Sequence, residues 1–101
     1  MKLTGKQKAH LKKEAHHLQP IFQIGKIGLT EETFRQIEDA LEKRELIKIH
    51  LLQNTMVTTE EAADSIEAET GATVVQKIGK TLVLFKVSSK EKNRKVSVDL
   101  P

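Results

Sequence analysis

Residues 21–52 read IFQIGKIGLTEETFRQIEDALEKRELIKIHLL, an apolar run, a glycine corner, a capped amphipathic segment and an alternating run in that order. Pro20 halts whatever precedes it, and Ile21 to Ile24 form a first short strand. Thr30 is placed to cap a helix whose first turn holds Glu31 and Glu32 and whose last turn holds Lys43 and Arg44, each charge complementing the helix dipole. Phe34, Ile37 and Leu41 give that helix an inner stripe. In ELIKIHLLQ (residues 45–53), Ile47, Ile49 and Leu51 alternate with Lys48 and His50, as in a strand with one better-buried face. Strand, helix, strand is a βαβ unit, so these two strands are expected to be parallel.

Upstream, a first helix is predicted over Lys6–Leu18 with Thr4 as N-cap; Leu11, Ala15 and Leu18 share one face. Lys2, Lys6 and Lys13 fall on the opposite side, with His10 and His17 beside them, so one face is apolar and the other cationic. Downstream, Thr58 or Thr59 caps a third helix that runs to about Glu69 and stops at Gly71. Ala62, Ala63 and Ile66 point inward, and the segment holds no basic residue. TVVQKI and TLVLFKV, joined by Gly79-Lys80, read as a hairpin with a two-residue Gly-X turn. The order αβαβαββ predicts an α/β sandwich on a mixed four-stranded sheet. Residues 1–87 form the folded module; residues 88–101 are polar and lysine-rich, a mobile tail unless VSVDL (residues 96–100) pairs along a sheet edge.

The 101 residues suffice for one core, and 38% hydrophobic with 31% charged residues is the composition of a soluble globular domain. The polar start MKLTGKQKAHLKKEAHH lacks the apolar region of a signal peptide, no later run approaches a membrane span, and the cytosol is the expected compartment. Zero cysteines exclude disulfides, thiolate nucleophiles and sulfur-ligated zinc. Charge is segregated: residues 1–28 carry six Lys against one Glu, residues 29–69 eleven acids against four bases, and residues 70–101 seven bases against two acids. If the basic segments meet in space they form a positive face that attracts a polyanion; otherwise they are solvated surface.

Gly25-Lys26-Ile27-Gly28 is the stretch with the most specific chemistry. In a G-x-x-G loop the missing side chains allow close backbone approach, and exposed amides can donate to phosphate oxygens, the device by which KH domains clamp a nucleic-acid backbone. Lys26 adds a cation at the tip, and Ile27 either packs on a ribose or base or tucks inward. The plainer alternative is a strand-to-helix corner needing only positive φ. Of the three Phe residues, with no Tyr or Trp beside them, Phe34 and Phe85 fall in core patterns and Phe22 can join them, so contacts are expected mostly with phosphate and sugar, favouring folded RNA over base reading.

Other motifs carry less. Gly79-Lys80-Thr81 mimics the end of a phosphate-binding P-loop, but Val74 stands where that motif needs its first glycine and the setting is strand to strand. His10 and His17 lie two helical turns apart, about 10 Å, too far to share a metal ion, and His16 and His17 diverge around the helix. No nucleophile–base–orienter set is visible. No cofactor, metal or catalytic residue is therefore expected. A competing reading makes the acidic third helix, around Glu60, Glu61, Asp64 and Glu67, a dock for a basic protein such as a ribosomal protein.

Three segments, LTGKQKAHLKKEAHHLQPIFQIGKIGLTEE, IEDALEKRELIKIHLL and ETGATVVQKIGKTLVLFK, occur in the order found in the CRM-domain family, and the chain resembles its stand-alone bacterial, YhbY-like members over residues 2–87. The resemblance implies a fold similar to the C-terminal domain of bacterial initiation factor three, RNA binding through the GxxG loop and nearby basic surface, association with precursors of the large ribosomal subunit, and no catalytic activity. It carries the RNA-binding loop onto Gly25, Lys26, Ile27 and Gly28, and the basic first helix onto Lys6, Lys8, Lys12 and Lys13. Members often have Tyr-Arg where this chain has Phe85-Lys86, so Lys86 keeps the charge while the phenol is missing. A monomer acting on ribosomal RNA, away from membranes, is the expectation.

Overall fold

Threonine opens every helix. In the computed structural model, which describes residues 2–101, Thr4, Thr30 and Thr58 cap α1 (Gly5–Ala15), α2 (Glu31–Arg44) and α3 (Thr59–Thr70), each hydroxyl accepting an N–H three residues on. At α1 and α3 the side chains of Gln7 and Glu61 reach back to the cap N–H, closing capping boxes. Such caps contribute about 1 kcal/mol each. α3 ends, as its sequence predicts, on Gly71 with φ 75°. α2 ends on Glu45, the one non-glycine with positive φ among the described residues (63°).

The strands β1 (Pro20–Ile24), β2 (Leu46–Leu51), β3 (Thr73–Ile78) and β4 (Thr81–Phe85) form one mixed sheet in the order β1-β2-β4-β3. β1 and β2 are parallel, as the βαβ reading requires, and the other pairings are antiparallel. Three helices on a four-stranded mixed sheet is the architecture read from the sequence. Gly79, with φ 57°, and Lys80 make the β3–β4 turn; Lys80 keeps a negative φ, the type II′ pattern that matches strand twist.

Alternation along β2 and β4 sends side chains to both faces, and both are covered. Ile47, Ile49, Leu51, Leu82 and Leu84 pack with Ile37 and Leu41 of α2 and with Ala62, Ala63 and Ile66 of α3. On the other face Leu46, Val83 and Phe85 meet Leu11 and Ala15 of α1. Full burial of such side chains contributes about 2 kcal/mol apiece.

Two details differ from the sequence reading. α1 ends at Ala15 rather than Leu18, because the chain tightens there: the N–H groups of His16 and Leu18 bond the carbonyls of Lys13 and Ala15 at 3.2 and 3.0 Å. Leu18 still packs against the α1 cluster.

Residues 88–101, expected to be a mobile tail, are laid against the domain in two short 3-10 turns, Glu91–Asn93 and Ser97–Asp99, and VSVDL joins no sheet edge. The anchor is the fully buried Glu45 carboxylate, which accepts the N–H groups of Ser88 (2.7 Å), Val96 (3.1 Å) and Ser97 (2.8 Å) and the Ser97 hydroxyl (2.7 Å). Val96 and Leu100 then pack on the α1 cluster, and the Gln7 amide donates to the Pro101 carbonyl.

Candidate nucleic-acid interface

The glycine corner lies where β1 hands the chain to α2. Its only internal backbone bond runs from the Gly28 N–H to the Gly25 carbonyl (3.0 Å) and closes a tight turn. Among the described residues, the N–H groups of Lys26 and Ile27 have no partner. Gly28 has φ 77°, the region that needs glycine, whereas Gly25 does not. Ile27 does not tuck inward: it is 87% exposed at the tip, beside an exposed Lys26.

A second loop, residues 52–57, supports the first. A Cβ on Gly25 would lie 3.6 Å from Leu52 Cδ1 and 3.7 Å from Asn54 Oδ1, and one on Gly28 would lie 3.3 Å from Val57 Cγ2. Met56, next to Val57, is 88% exposed, so this end of the molecule offers two bare apolar side chains. Between the glycine loop and the first turns of α2 runs a groove of about 420 Å3, floored by Phe22 and Ile24 and flanked by Thr30, Thr33 and Gln36. The carboxylates of Glu31 and Glu32 do not line it.

Lys6, Lys8, Lys12 and Lys13 are all exposed on α1. Among the described residues none of them, nor Lys26, has a carboxylate within 4 Å; the one Lys or Arg ion pair is the solvent-facing Arg35–Glu32, and His10 Nε2 lies 4.0 Å from Glu14 Oε1. These ammonium groups are therefore unneutralised by the protein. α1 does not abut the glycine loop along the chain: it leads to the start of β1, where His17, Leu18 and Gln19 line a hollow with Arg44 and Leu46, while the loop leaves β1's far end, about 13 Å away.

Lys86 stands apart. It follows β4 at the end of the sheet opposite the glycine loop, and its ammonium donates to the Thr70 carbonyl at 2.7 Å, closing the C-terminus of α3. The acidic helix is also partly committed to its own fold: Glu61 completes the capping box, and Glu67 Oε2 accepts the Val74 N–H at 2.9 Å. Gly79-Lys80-Thr81 is a hairpin turn, pinned by the Thr59 hydroxyl on the Gly79 carbonyl (3.2 Å), not a strand-to-helix phosphate loop. Among the described residues no three His, Asp or Glu side chains converge as metal ligands, and no helix is long and apolar enough to cross a membrane.

The carboxylates of Glu42 and Glu45 were not singled out by sequence patterns. The Ser88 hydroxyl, then the hydroxyl and N–H of Ser89, hold Glu42 at about 2 against an ordinary 4.5. At Glu45 burial pushes the carboxyl up, but the bonds from Ser97, Ser88 and Val96 outweigh it and hold the group below 4.5. Both are acceptors for a docked chain segment, not an acid–base pair.

The whole arrangement has counterparts. The family model described as the CRS1 / YhbY (CRM) domain matches residues 3–86. The chain is 44% identical to "Probable RNA-binding protein YqeI" of Bacillus subtilis over 99 residues, covering 98% of this chain and 99% of the relative. It is 42% identical to an "RNA-binding protein" of Haemophilus influenzae over 90 residues, 89% of this chain and 91% of that one. The solution structure of the Staphylococcus aureus protein SAV1595 superposes with a TM-score of 0.76 at 44% identity, covering 99% of this chain and all of that one.

Proposed function

The chain belongs to the CRS1 / YhbY (CRM) domain family, and from that premise we propose that it is a non-catalytic RNA-binding protein that grips structured ribosomal RNA and assists assembly of the large ribosomal subunit. Relatives along its whole length are named as RNA-binding proteins, which supports RNA as the ligand. The observation that carries the reading further is the pair of unpartnered amides at Lys26 and Ile27, on an exposed tip whose own side chain is a cation.

Phosphate oxygens would take these two N–H groups and the Lys26 ammonium, with the Gly25 and Gly28 faces allowing the strand to approach. The groove beside α2 receives the adjoining sugar and base, against Ile27 and Phe22. Lys6, Lys8, Lys12 and Lys13 add attraction through their unneutralised charge. Lys86, at the opposite end of the sheet with one of its ammonium donors closing α3, lies outside the grip proposed at the loop. The protein would work as a cytoplasmic monomer, with ribosomal proteins as further partners in the assembling particle.

The test is filter binding of protein-free large-subunit ribosomal RNA across a salt series. Gly25→Ala combined with Lys26→Glu should weaken binding at least tenfold while circular dichroism stays at wild type. Equal affinity in the variant and the wild type would remove the loop from the mechanism.

A further inference from the structure

Each strand contributes one residue to a line that crosses the sheet. Gln23 pairs with His50, His50 with Thr81, and Thr81 with Ile78. Strands lie about 4.8 Å apart, so the line is about 14 Å long. It sits on the face that α1 covers, since Leu46 precedes His50 by four residues and Val83 follows Thr81 by two, and side chains at even spacing share a side.

α1 covers only part of that face. Leu46 and Val83 are buried beneath it, whereas Gln23 is exposed, His50 and Thr81 are half-buried, and Ile78 is 50% exposed. The line lies at the end of the sheet where β1 finishes, two residues before Gly25. Past the line in the strand direction, Lys26 follows the end of β1, and the exposed Lys80 of the hairpin turn sits opposite Leu51, its carbonyl accepting the Leu51 N–H at 2.8 Å.

The chemistry of the line suits a ribose–phosphate strand. His50 Nδ1 and Thr81 Oγ1 are 3.1 Å apart, which fixes the imidazole, and among the described residues Nε2 has no protein partner. Gln23 adds an amide that both donates and accepts. No strand of the sheet contains an aspartate or glutamate, so the line itself carries no charge that repels a polyanion, and no Phe, Tyr or Trp stands in it to select a base.

We infer that this open half-face is a second RNA contact, on which the ribose–phosphate backbone runs from the glycine loop toward Lys80, with His50, Thr81 and Gln23 addressing ribose 2′-hydroxyls. The inference rests on the proposed entry of RNA at Gly25–Gly28. It extends the interface from a corner to a surface and gives the protein a means of preferring RNA to DNA, because the 2′-hydroxyl is the group that separates them.

The experiment compares His50→Ala and Thr81→Val with the wild type on one large-subunit ribosomal RNA hairpin and on the DNA hairpin of the same sequence, by fluorescence anisotropy. Thr81→Val keeps the β-branched shape and removes only the hydroxyl, so it remains informative if His50→Ala perturbs folding. Loss of one or two neutral hydrogen bonds should reduce RNA affinity about three- to tenfold while DNA affinity stays put, drawing the RNA-to-DNA ratio toward one. Lys26→Glu should weaken both nucleic acids together. Unchanged RNA and DNA affinities in both sheet variants, with Lys26→Glu impaired, would overturn the sheet contact and leave the loop standing; undiminished binding by Lys26→Glu would strike the loop reading itself.

Discussion

Gly28 and Val57 face each other across two loops, with Val57 Cγ2 only 3.3 Å from the position a Cβ on Gly28 would take. Gly28 also holds φ 77°, so alanine there meets both a crowded neighbour and an unfavourable backbone region. Gly28→Ala should cost about 1 kcal/mol or more in urea denaturation. Gly25→Ala meets only ordinary contacts at 3.6 and 3.7 Å and should leave stability within about 0.5 kcal/mol, making it the cleaner probe of RNA binding.

Lys86 separates a structural lysine from the proposed binding lysines. Its ammonium sits 2.7 Å from the Thr70 carbonyl at the end of α3. Lys86→Met should lower stability by about 1 kcal/mol and leave RNA affinity close to wild type. Lys26→Ala should do the reverse, reducing the slope of log affinity against log salt by about 1 with no change in melting temperature.

Glu45 holds the last fourteen residues to the domain, and the carboxylate can be converted to an amide without changing its size. Glu45→Gln turns one acceptor into a donor facing the N–H groups of Ser88, Val96 and Ser97. It should cost about 2–3 kcal/mol, and hydrogen exchange at Ser97 should rise to that of an unstructured chain. Removing residues 88–101 should cost a similar amount, and combining the truncation with Glu45→Gln should add little, as expected for partners in one network.

Acid should loosen the same segment. Glu42 and Glu45 both bind protons less readily folded than unfolded, so the stability they supply is complete above about pH 4.5 and is lost as pH falls below it, toward about 2 in the case of Glu42. Amide exchange followed through an acid titration should therefore show Ser89 and Ser97 opening in that window. Opening above pH 5 would mean that some other group governs the docking.

The βαβ core and the helix after it were legible because their signals are local: alternation in β2, a threonine before a pair of glutamates, and a glycine where α3 must stop. The docked C-terminal segment was not, because its determinants lie far apart. Glu45 meets Ser97 across 52 positions, and no periodicity links a lone glutamate to a lysine-rich stretch. Composition favours solvent for residues 88–101; the buried carboxylate and the seats for Val96 and Leu100 outweigh it. Of the candidate site, the glycine pattern could be read directly, and Lys26 with it. The line Gln23–His50–Thr81–Ile78 could not, since it exists only once the order β1-β2-β4-β3 and its register are known.

Whether RNA enters at the glycine loop is read most directly by titrating isotopically labelled protein with a large-subunit ribosomal RNA hairpin and following the backbone amide signals. Lys26 and Ile27 should shift most and gain exchange protection, while the amides of α3 around Glu60 and Asp64 stay in place. A silent glycine loop with movement centred on α3 would contradict entry at the loop.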